Sequence, residues 1–421
     1  MKTKVDVAVI GGGPAGLAAA IKARESGAGT VVIFERDSAL GGVLQQCVHT
    51  GFGLQLFAID HAGTEYAERF IKEAERVGVE TRLETTVLAI TSGLNVQAVN
   101  PVDGPFEVTA QAVVLAMGCR ERTRGSLRIP GTRPAGVITA GTAQRSINLQ
   151  GYLPGTRVVV LGSGDVGLIM ARRFTLEGAK VEAVVEAQPF PGGLTRNVVQ
   201  CLDDFGIPLL LRHTVVEIHG RKRVTGVTVM RVSGDARPVP GSERFIPCDT
   251  VLFSVGLIPE NELSRTLGLV LDPATGGPVI DETYATSIAG VFACGNVLHV
   301  NDVVDNVTEQ GYVAGRSAAH IALRTSPERK EHETVLKAGQ NVRYLVPQLL
   351  RRLDVQTVRL SFRVKEPADA VYLRLSAEDD VIFQRYYPVV RPGELLTITL
   401  PESALGLIRQ RAVVEGSVES R

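Results

Sequence analysis

Cysteine is scarce in this sequence, and the cysteines present are scattered. The chain has 421 residues and five cysteines, Cys47, Cys119, Cys201, Cys248 and Cys294. They form no CxxC pair, their spacing is not typical of metal ligands, and their number is odd. This argues against a disulfide framework, a zinc site or an iron–sulfur cluster. We therefore expect no bound metal.

The sequence also lacks an excess of charge of either sign and lacks long apolar runs. It carries 45 basic and 45 acidic residues, so its net charge gives no reason to expect nucleic acid or an anionic membrane as a partner. No run reaches the roughly 18 apolar residues of a membrane-spanning helix. No charged and apolar leader precedes the first strand-like run at Val5. We expect a cytoplasmic protein without direct membrane insertion.

Glycine, in contrast, recurs in a pattern. Three glycines spaced GxGxxG follow the apolar run 5–10, an acidic residue comes 19 positions after the third, and a glycine pair follows. The same pattern recurs 151 residues later, after the apolar run 158–161. The first copy consists of Gly11, Gly13, Gly16, Glu35, Gly41 and Gly42, and the second of Gly162, Gly164, Gly167, Glu186, Gly192 and Gly193. Each copy lies between a strand-like and a helix-like run, which indicates two dinucleotide sites.

Each part of this pattern has a physical role in binding a dinucleotide. The first glycine forms the tight turn, the second lets the backbone approach the pyrophosphate, and the third lets the helix pack closely on the strand. The helix N-terminus supplies N–H groups and partial positive charge for the phosphates. Glu35 and Glu186 are placed to accept hydrogen bonds from a ribose diol. The alternative, two glycine-rich turns without ligand, is disfavoured by the match to every part of the pattern.

The order of the runs predicts two nucleotide domains, one inserted into the other. A chain of this length is expected to form two or three domains. We predict an α/β fold with two Rossmann-like dinucleotide-binding domains and a small C-terminal all-β domain. The predicted boundaries are 1–120 with 257–323 for the split first domain, 121–256 for the inserted domain, 324–341 for a polar linker and 342–421 for the β domain. Within the β domain, only 347–353 has a helix-like pattern.

These motifs resemble the two-dinucleotide flavoprotein family that includes thioredoxin reductase, over roughly residues 1–322. The resemblance is carried by GGGPAG at Gly11, ALGG at Ala39, VVLAMG ending at Gly118, GSGDVG at Gly162, VLFSVG ending at Gly256 and TSIAGVFACGN ending at Asn296. That family binds FAD in its split domain and a nicotinamide nucleotide in the inserted one. The resemblance implies an FAD-dependent, NAD-linked oxidoreductase that exchanges hydride between nicotinamide and flavin.

The resemblance also assigns residues to the two cofactors. It implies that FAD is held by Gly11, Gly13, Pro14, Ala15, Gly16, Glu35, Arg36, Gly42, Gln45, Val87, Ala116, Gly118, Gly295 and Asn296. It implies that NAD is held by Gly162, Gly164, Asp165, Val166, Gly167, Glu186 and Gly256. It further places the N-terminus of a helix beginning at Asp302 near the pyrimidine edge of the flavin, where its positive end would stabilise the reduced anion.

Two departures from the family pattern bear on function. Asn296 replaces the usual aspartate, and because an amide both accepts and donates hydrogen bonds, we expect FAD to be retained with an altered potential. At the positions of the thioredoxin reductase CxxC, this chain has Ala140 and Ala143. A CxxxxC after the glycine pair is missing too, since only Cys47 follows Gly42. We therefore expect electrons to pass to something other than a dithiol.

The catalytic residues are not assigned by these patterns. Cys47 and His49 lie in a segment that the resemblance places near the flavin, and they are candidates for a redox thiol and a proton donor. A lone cysteine is more often a small buried hydrophobe, and a histidine can simply bond to backbone. Arg124 and its neighbours Arg120 and Arg122 could contact a phosphate, although a solvated basic turn fits better.

The amino-acid sequences of segments 118–130, 136–142 and 191–203 resemble those of the flavoprotein subunits of glycerol-3-phosphate, opine, amino-acid and cyanide-forming dehydrogenase complexes. The resemblance implies that the partner is a second dehydrogenase or an electron-transfer subunit, in a homo- or hetero-oligomer. The alternatives are a free-standing NADH-dependent reductase of a quinone or oxygen, and a non-catalytic flavoprotein scaffold. In the β domain, Tyr372, Phe383, Tyr386 and Tyr387 are candidates for an exposed interface patch or for core filling.

Overall fold

A computed structural model describes residues 3–235, 237–325, 333–351, 356–378 and 380–420. The chain forms two compact units. Unit 1 combines Met1–Cys119 with Pro259–Arg421, and unit 2 consists of Arg120–Ile258. The predicted α/β class with two Rossmann-type sheets and further C-terminal β-sheets is confirmed.

The first segment of unit 1 forms the larger nucleotide-type sheet. Its elements are β1 (Thr3–Ile10), α1 (Pro14–Glu25), β2 (Val31–Phe34), β3 (Thr50–Phe52), α2 (Leu54–Phe57), β4 (His61–Ala62), α3 (Gly63–Arg76), β5 (Glu80–Arg82), β6 (Thr86–Ile90), β7 (Asn95–Asn100) and β8 (Gly104–Leu115). The sheet order is β5-β2-β1-β8-β7-β6. Strands β5, β2, β1 and β8 are parallel, and β7 and β6 continue the sheet in antiparallel fashion. Its central strands are apolar on both faces, as buried parallel strands are.

Unit 2 repeats this plan on a smaller scale. Its elements are β9 (Cys119–Glu121), α4 (Arg124–Leu127), β10 (Val137–Thr139), α5 (Ala140–Asn148), β11 (Arg157–Leu161), α6 (Asp165–Leu176), β12 (Lys180–Glu186), α7 (Thr195–Cys201), β13 (Leu209–Leu211), β14 (His213–Gly220), β15 (Val224–Arg231), β16 (Arg244–Ile246), β17 (Thr250–Phe253) and β18 (Leu257–Pro259). The parallel sheet has the order β10-β17-β11-β12-β13, and an antiparallel sheet has the order β14-β15-β16.

The chain then returns to complete unit 1. The returning elements are α8 (Glu262–Leu267), β19 (Val291–Ala293) and α9 (Val304–Ala322). Strand β19 adds to the first sheet beside β8. Helix α9 packs so closely on α1 that a Cβ on Gly315 would lie 2.0 Å from the carbonyl oxygen of Ala19. Glycine at this position therefore permits the contact between the two helices.

The C-terminal part of unit 1 consists of two further sheets and one helix. Its elements are β20 (Thr334–Ala338), β21 (Val342–Val346), β22 (Leu349–Leu350), β23 (Val358–Val364), β24 (Ala368–Ala377), β25 (Asp380–Val390), β26 (Leu396–Leu400), α10 (Glu402–Ile408) and β27 (Val413–Ser420). The sheet orders are β22-β20-β27-β24-β25 and β21-β23-β26. These strands enclose a second hydrophobic core, but Tyr344 and Val346 belong to the core of the first sheet. The C-terminal sheets and the first sheet therefore share packing.

Two expectations for this region are wrong. The stretch 347–353 is the one possible helix of the expected β domain, yet Leu349–Leu350 form β22, and residues 352 and 353 lie outside the described residues. The helix of the region is α10, which buries Leu405 and Ile408 on one face. The expected linker 324–341 contains β20, which pairs with β27 and so belongs to the sheet. Residues 326–332 of that linker lie outside the described residues.

The four aromatic residues of β24 and β25 divide between surface and core. Tyr386 is 51% exposed, whereas Phe383 and Tyr387 pack against the second hydrophobic core. The ring of Tyr372 lies 5.3 Å from that of Tyr386. Core filling therefore accounts for Phe383 and Tyr387, and an interface role for the exposed Tyr386 stays a prediction.

Candidate functional site

The first glycine fingerprint forms the turn from β1 to α1. Gly11 has a φ of +103°, and a Cβ there would lie 2.5 Å from the carbonyl oxygen of Ala116. A Cβ on Gly16 would lie 1.9 Å from the carbonyl oxygen of Gly11. Any side chain at either position would push the helix away from the strand. These two glycines thus serve the fold of the turn.

Gly13 differs because it faces open space. A Cβ there would meet no atom of the described chain within 4 Å. Gly13 is the N-cap of α1, and Pro14 and Ala15 form its first turn, where backbone N–H groups have no partner within the helix. Gly42 lies against Gly13, since a Cβ on Gly42 would be 3.1 Å from the Gly13 Cα. The open space beside a helix N-terminus fits the pyrophosphate of a dinucleotide.

Glu35 stands at the end of β2 and orders the same turn. It is buried, since only 7% of the residue is exposed. One carboxylate oxygen accepts the Gly12 N–H at 2.6 Å, and the other accepts the Asp37 N–H at 2.8 Å. Each carboxylate oxygen keeps a further lone pair, which fits a ribose diol. Arg36 is exposed.

The other residues assigned to FAD lie around this turn. The Gln45 amide donates to the Leu40 carbonyl at 2.7 Å, and the Ala116 N–H donates to the Ile10 carbonyl at 2.9 Å. Val87 is half-buried on β6, and Gly118 follows β8. Gly295 approaches α1, since a Cβ there would lie 2.7 Å from the Ala15 Cβ. The next residue, Asn296, is half-buried at this junction.

The second fingerprint forms the turn from β11 to α6. Gly162 has a φ of +92°, and a Cβ there would lie 2.1 Å from the carbonyl oxygen of Ser254. A Cβ on Gly167 would lie 2.5 Å from the Ser254 Cβ, and the Gly167 N–H donates to the Ser254 hydroxyl at 3.0 Å. Gly164 is the N-cap of α6, with the Ser254 Oγ 3.3 Å from the position of its Cβ.

Glu186 takes the same position in unit 2 that Glu35 takes in unit 1. It is 9% exposed, and one oxygen accepts both the N–H of Ser163 at 2.9 Å and its hydroxyl at 2.7 Å. The other oxygen accepts the Gln188 N–H at 2.9 Å. The acid thus holds the glycine turn and retains acceptor capacity for a ribose.

Asp165 and its neighbours complete this second turn. The Asp165 carboxylate accepts the Leu194 N–H at 2.8 Å and the Asn197 amide at 2.6 Å. It therefore holds the loop after the glycine pair in place. Val166 is half-buried in the first turn of α6, and Gly256 follows β17.

Arg124 has a structural task. Its guanidinium donates to the carbonyl oxygens of Ile129, Pro130 and Gly131, each at 3.0 Å, and also to that of Thr132. Burial lowers the pKa of Arg124. The side chain holds its own loop together, so its guanidinium is engaged by carbonyl oxygens and not simply solvated as expected. A phosphate contact of Arg124 stays a prediction.

The two weak catalytic candidates lie in neighbouring but separate surroundings. Cys47 is 7% exposed, and its Sγ lies 3.3 Å from the Val43 carbonyl oxygen. The His49 Nδ1 lies 2.9 Å from the Thr50 carbonyl oxygen, and its ring lies 5.1 Å from that of Phe52. Backbone contacts of this kind account for both side chains without catalysis. Their catalytic roles stay predictions.

The other buried thiols are in surroundings that make them unreactive. Burial raises the pKa of Cys201 to about 11, and raises those of Cys248 and Cys294 to about 12. These groups therefore stay protonated at neutral pH, whereas the thiolate is the reactive form. Ala140 and Ala143 are both 0% exposed in α5, so both of these positions hold buried methyl groups.

Several buried polar residues around α9 were not indicated by the sequence motifs. Asp305, 1% exposed, accepts the Gly53 N–H at 3.3 Å and the Leu56 N–H at 2.9 Å, and so connects α9 to the segment 53–56. Arg363 of β23 forms an ion pair with Asp302, just before α9. Local sequence patterns gave no signal for these contacts, because each buried polar group finds its partner far along the chain.

Several known proteins are similar to this chain in sequence or in fold. The chain is 29% identical over 336 residues to an opine oxidase subunit of Agrobacterium tumefaciens (strain Ach5), with 76% of this chain and 65% of that protein covered. It is 29% identical over 397 residues to hydrogen cyanide synthase subunit HcnB of Pseudomonas protegens, with 87% and 81% covered. The crystal structure of T. acidophilum thioredoxin reductase is 25% identical, with a TM-score of 0.62 and 77% and 100% covered.

Residues 5–318 match the family of pyridine nucleotide-disulphide oxidoreductases, and the chain belongs to that family. Proteins of this family and its thioredoxin reductase-like relatives bind FAD and NAD(P) and are oxidoreductases. The expected class, an FAD- and NAD(P)-dependent oxidoreductase, is thereby confirmed. Some relatives are subunits of larger enzymes, as the names of the first two state. In the ranges that the structure describes, no helix is long and apolar enough to span a membrane.

Proposed function

We propose that this chain is the flavoprotein subunit of a multi-subunit dehydrogenase and that it exchanges hydride between NAD and FAD. The observation that carries the proposal is the repeated turn, in which a buried glutamate holds a glycine loop at the start of a helix. Bound FAD and NAD supply the hydride chemistry, so the tasks of the protein are binding, orientation and exclusion of side reactions. No residue of the chain needs to become covalently modified.

In this proposal the residues of unit 1 hold FAD. Glu35 accepts hydrogen bonds from the ribose, and the N-terminus of α1 at Gly13, Pro14 and Ala15 faces the pyrophosphate. Gly42 leaves room for the same group, and Asn296 is the neighbour of Gly295, which approaches Ala15. We propose that Asn296 also contacts FAD. The further FAD contacts are proposed for Gly11, Gly16, Arg36, Gln45, Val87, Ala116, Gly118 and Gly295.

The residues of unit 2 hold NAD in the same manner. Glu186 accepts from the adenosine ribose, and Gly164 at the start of α6 faces the pyrophosphate. Gly162, Asp165, Val166, Gly167 and Gly256 shape the turn. A second anion, such as a ribose 2′-phosphate, cannot approach Glu186 closely without repulsion, which supports a preference for NAD over its phosphorylated form.

A partner protein, not an internal dithiol, is the proposed recipient or donor of the electrons. This is supported by the sequence, which has no CxxC, and by the buried methyl groups of Ala140 and Ala143. Two relatives carry the names of subunits, one of an opine oxidase and one of hydrogen cyanide synthase. We therefore propose a partner of the glycerol-3-phosphate, opine or amino-acid dehydrogenase type.

Anaerobic mixing of the purified protein with NADH tests this function. We expect a yellow protein whose flavin absorbance bleaches with NADH, with slow steady turnover until a partner dehydrogenase of the proposed type is added. Fast turnover with a quinone or oxygen by the chain alone would favour a free-standing reductase. A yellow protein that NADH does not bleach would favour a scaffold, and a protein that takes up no FAD would overturn the proposal.

A further inference from the structure

Strand β25 lies at the edge of the larger C-terminal sheet. It pairs with β24 on one side, and no described strand pairs with its other side. An edge strand leaves backbone N–H and C=O groups that can pair with a strand of another chain. With 11 residues, β25 is longer than a usual strand. It also carries exposed apolar side chains, since Val381 is 52% exposed and Tyr386 is 51% exposed.

The register with β24 shows on which face of the sheet each residue of β25 lies. Residues directly opposite each other in two paired strands share a face. Alternate residues of β24 are buried in the second hydrophobic core, and their partners in β25 therefore lie on the core side. The core-side pairs, with the β24 residue first, are Val371 with Tyr387, Leu373 with Arg385, Leu375 with Phe383 and Ala377 with Asp380. The outward pairs are Tyr372 with Tyr386, Arg374 with Gln384 and Ser376 with Val381.

A bulge interrupts this alternation at Ile382. Phe383 pairs with Leu375 and Val381 pairs with Ser376, so Ile382 is the additional residue. Ile382 and Phe383 both pack against the second hydrophobic core. The faces along segment 380–385 are therefore core, outward, core, core, outward and core. This order is the same when it is read from either end.

Such a palindromic order makes the segment self-complementary in an antiparallel pair. When segment 380–385 is paired with the same segment of a second copy, Val381 lies opposite Gln384 and Ile382 lies opposite Phe383, so that every pair shares a face. A shift of one residue would place core-side residues opposite outward ones. The pairing has two-fold symmetry, which is the most common symmetry of homo-oligomers.

The charges at the two ends of the segment are complementary as well. In this register Asp380 of one copy lies opposite Arg385 of the other, and this pair occurs twice. The Asp380 side chain is 72% exposed and lies 2.9 Å from Arg411. Arg385 has no acidic partner among the described residues, and its guanidinium lies 5.6 Å from the centre of the Tyr387 ring. Opposite charges directly across two strands are stabilising, whereas like charges are destabilising.

Pro388 lies beyond the self-complementary segment. Proline has no backbone N–H, and within sheets it is confined to edge strands, strand starts and bulges. Pro388 therefore takes no hydrogen bond away from segment 380–385, but it removes one donor from the C-terminal half of β25. It thus favours pairing through the part of the strand in which faces and charges match.

We propose that β25 is a homodimer interface, in which segment 380–385 pairs in antiparallel fashion with the same segment of a second copy of this chain. The two five-stranded sheets then form one continuous sheet of ten strands. The apolar side chains of Val381 and Tyr386 lie in or next to this junction. The proposal concerns the C-terminal sheets and does not depend on either cofactor.

Exchange of the two charges tests the pairing. Sedimentation velocity of the full chain at micromolar concentrations should show wild type at twice the chain mass of 45.0 kDa. Arg385→Asp places two carboxylates opposite each other, and Asp380→Arg places two guanidinium groups there. We expect each single variant to raise the dimer dissociation constant at least tenfold. The double variant Asp380→Arg/Arg385→Asp restores opposite charges and should restore the dimer. Arg391→Asp removes an exposed pair with Asp369 outside the segment, and this matched control should stay dimeric.

Introduced cysteines test the register independently. In the proposed dimer Val381 lies opposite Gln384, with Cα atoms about 4.5–5.5 Å apart, a spacing that suits a disulfide. Oxidation of the double variant Val381→Cys/Gln384→Cys should therefore give a covalent dimer on a non-reducing gel. Val381→Cys alone should not, because its two thiols would be three residues apart along the strands, which is roughly 10 Å.

Several outcomes would overturn the proposal. A wild-type chain that stays monomeric would do so, and so would a dimer that neither single charge variant weakens. A double charge variant that stays monomeric with the circular dichroism spectrum of wild type would refute the pairing of Asp380 with Arg385. If that variant does not fold, the introduced cysteines decide, and absence of a covalent dimer refutes the register. Because NADH and added FAD are not used, these outcomes leave the proposed function untouched.

Discussion

The two dinucleotide turns can be compared residue by residue. Glu35 and Glu186 each accept the backbone N–H of the residue 23 positions earlier and that of the residue 2 positions later. The surroundings of the second glycine differ. A Cβ added to Gly13 would meet no described atom within 4 Å. A Cβ added to Gly164 would lie 3.3 Å from the Ser254 hydroxyl oxygen. Local sequence thus sets the acid and turn, while more distant chain segments set what faces the ligand.

Segments distant in the sequence contribute more to the surroundings of the first glycine turn than to those of the second. In unit 1, Gly295, which follows β19, approaches Ala15 in the first turn of α1. Arg363 of the C-terminal strand β23 in turn bonds to Val300 and Asp302, just before α9. In unit 2, the adjoining hydroxyl comes from Ser254, which directly follows the neighbouring strand β17. We therefore expect the first site to be sensitive to substitutions far along the chain.

The largest expected effect is that of Gly13→Val. Because the new side chain would meet no protein atom and would occupy the space proposed for the pyrophosphate, we expect a folded but colourless protein. Flavin absorbance after incubation with FAD and the circular dichroism spectrum measure the two properties. Gly406→Val, at another glycine with open surroundings, is the control and should stay yellow. A yellow Gly13→Val protein would contradict the proposed site.

The matching substitution in the second turn sharpens this result. Gly164→Val should leave the protein yellow and remove bleaching by NADH, so that the two variants lose different cofactors. Loss of FAD in both variants would mean that the turns cannot be assigned separately.

Arg363→Met tests how much the ion pair between β23 and the segment before α9 stabilises unit 1. Removing one partner of a buried ion pair leaves the other charge unpaired, so we expect the free energy of unfolding to fall by about 3–5 kcal/mol. Urea denaturation followed by circular dichroism measures the change. Arg76→Met removes an exposed pair with Glu73 and is the control, with an unchanged midpoint expected. Equal midpoints for both variants would show that Asp302 does not need Arg363.

Glu186→Gln tests the preference for NADH. Two anions about 4 Å apart repel by about 4 kcal/mol at an effective dielectric of about 20, so wild type should be reduced by NADH far faster than by NADPH. In the variant, the ratio of the flavin bleaching rate with NADH to that with NADPH should fall at least tenfold. Glu35→Gln is the control, since it should weaken FAD without changing the nucleotide preference. A wild-type preference for NADPH would contradict the role of Glu186.

His299→Gln tests the burial of the His299 ring, which is 1% exposed and has its Nε2 3.2 Å from the Gln310 amide nitrogen. The folded-state pKa of His299 is about 3, against an ordinary value of about 6.5. The unfolded chain therefore binds a proton below pH 6.5 that the folded chain does not, and the folded state loses stability as pH falls. Between about pH 7.5 and 5.0, wild type should lose about 2 kcal/mol more than the variant in urea denaturation. Parallel losses would show that His299 protonates while folded.

The smallest effect is expected for Cys47→Ser. Cys47 contacts the Val43 carbonyl in a buried position, and no second thiol stands at a CxxC spacing from it. The rate of flavin reduction by NADH should stay within a few fold of wild type. A larger loss in stopped-flow measurements would assign Cys47 a role in the reaction.

Much of unit 2 and the first half of unit 1 could be predicted from sequence. The apolar run 158–161 corresponds to β11, and the helix expected to begin at Asp302 is α9 at Val304–Ala322. Such elements follow from local periodicity and glycine spacing, which involve neighbours in the chain. The turns around Glu35 and Glu186 could be predicted for the same reason, because their glycines and acids have a fixed local spacing.

The union of the C-terminal sheets with the first sheet could not be predicted in this way. Arg363 lies in the alternating strand β23, where alternation suggests that polar residues face solvent. It is nevertheless 9% exposed, because Asp302, 61 positions away, lies opposite it. Local patterns do not indicate such pairs. Helix α10 was missed although Leu405 and Ile408 have helical spacing, since Gly406 between them weakens the pattern.

The chain leaves unit 1 after Cys119 and re-enters it at Pro259. These two points are already close, because the Glu260 N–H donates to the Gly118 carbonyl at 3.0 Å. A loop of a few glycines could therefore bridge them in place of unit 2. Unit 1 could then be produced as a separate flavin-binding module, and other domains could be grafted at the same point without lengthening any strand of its sheet.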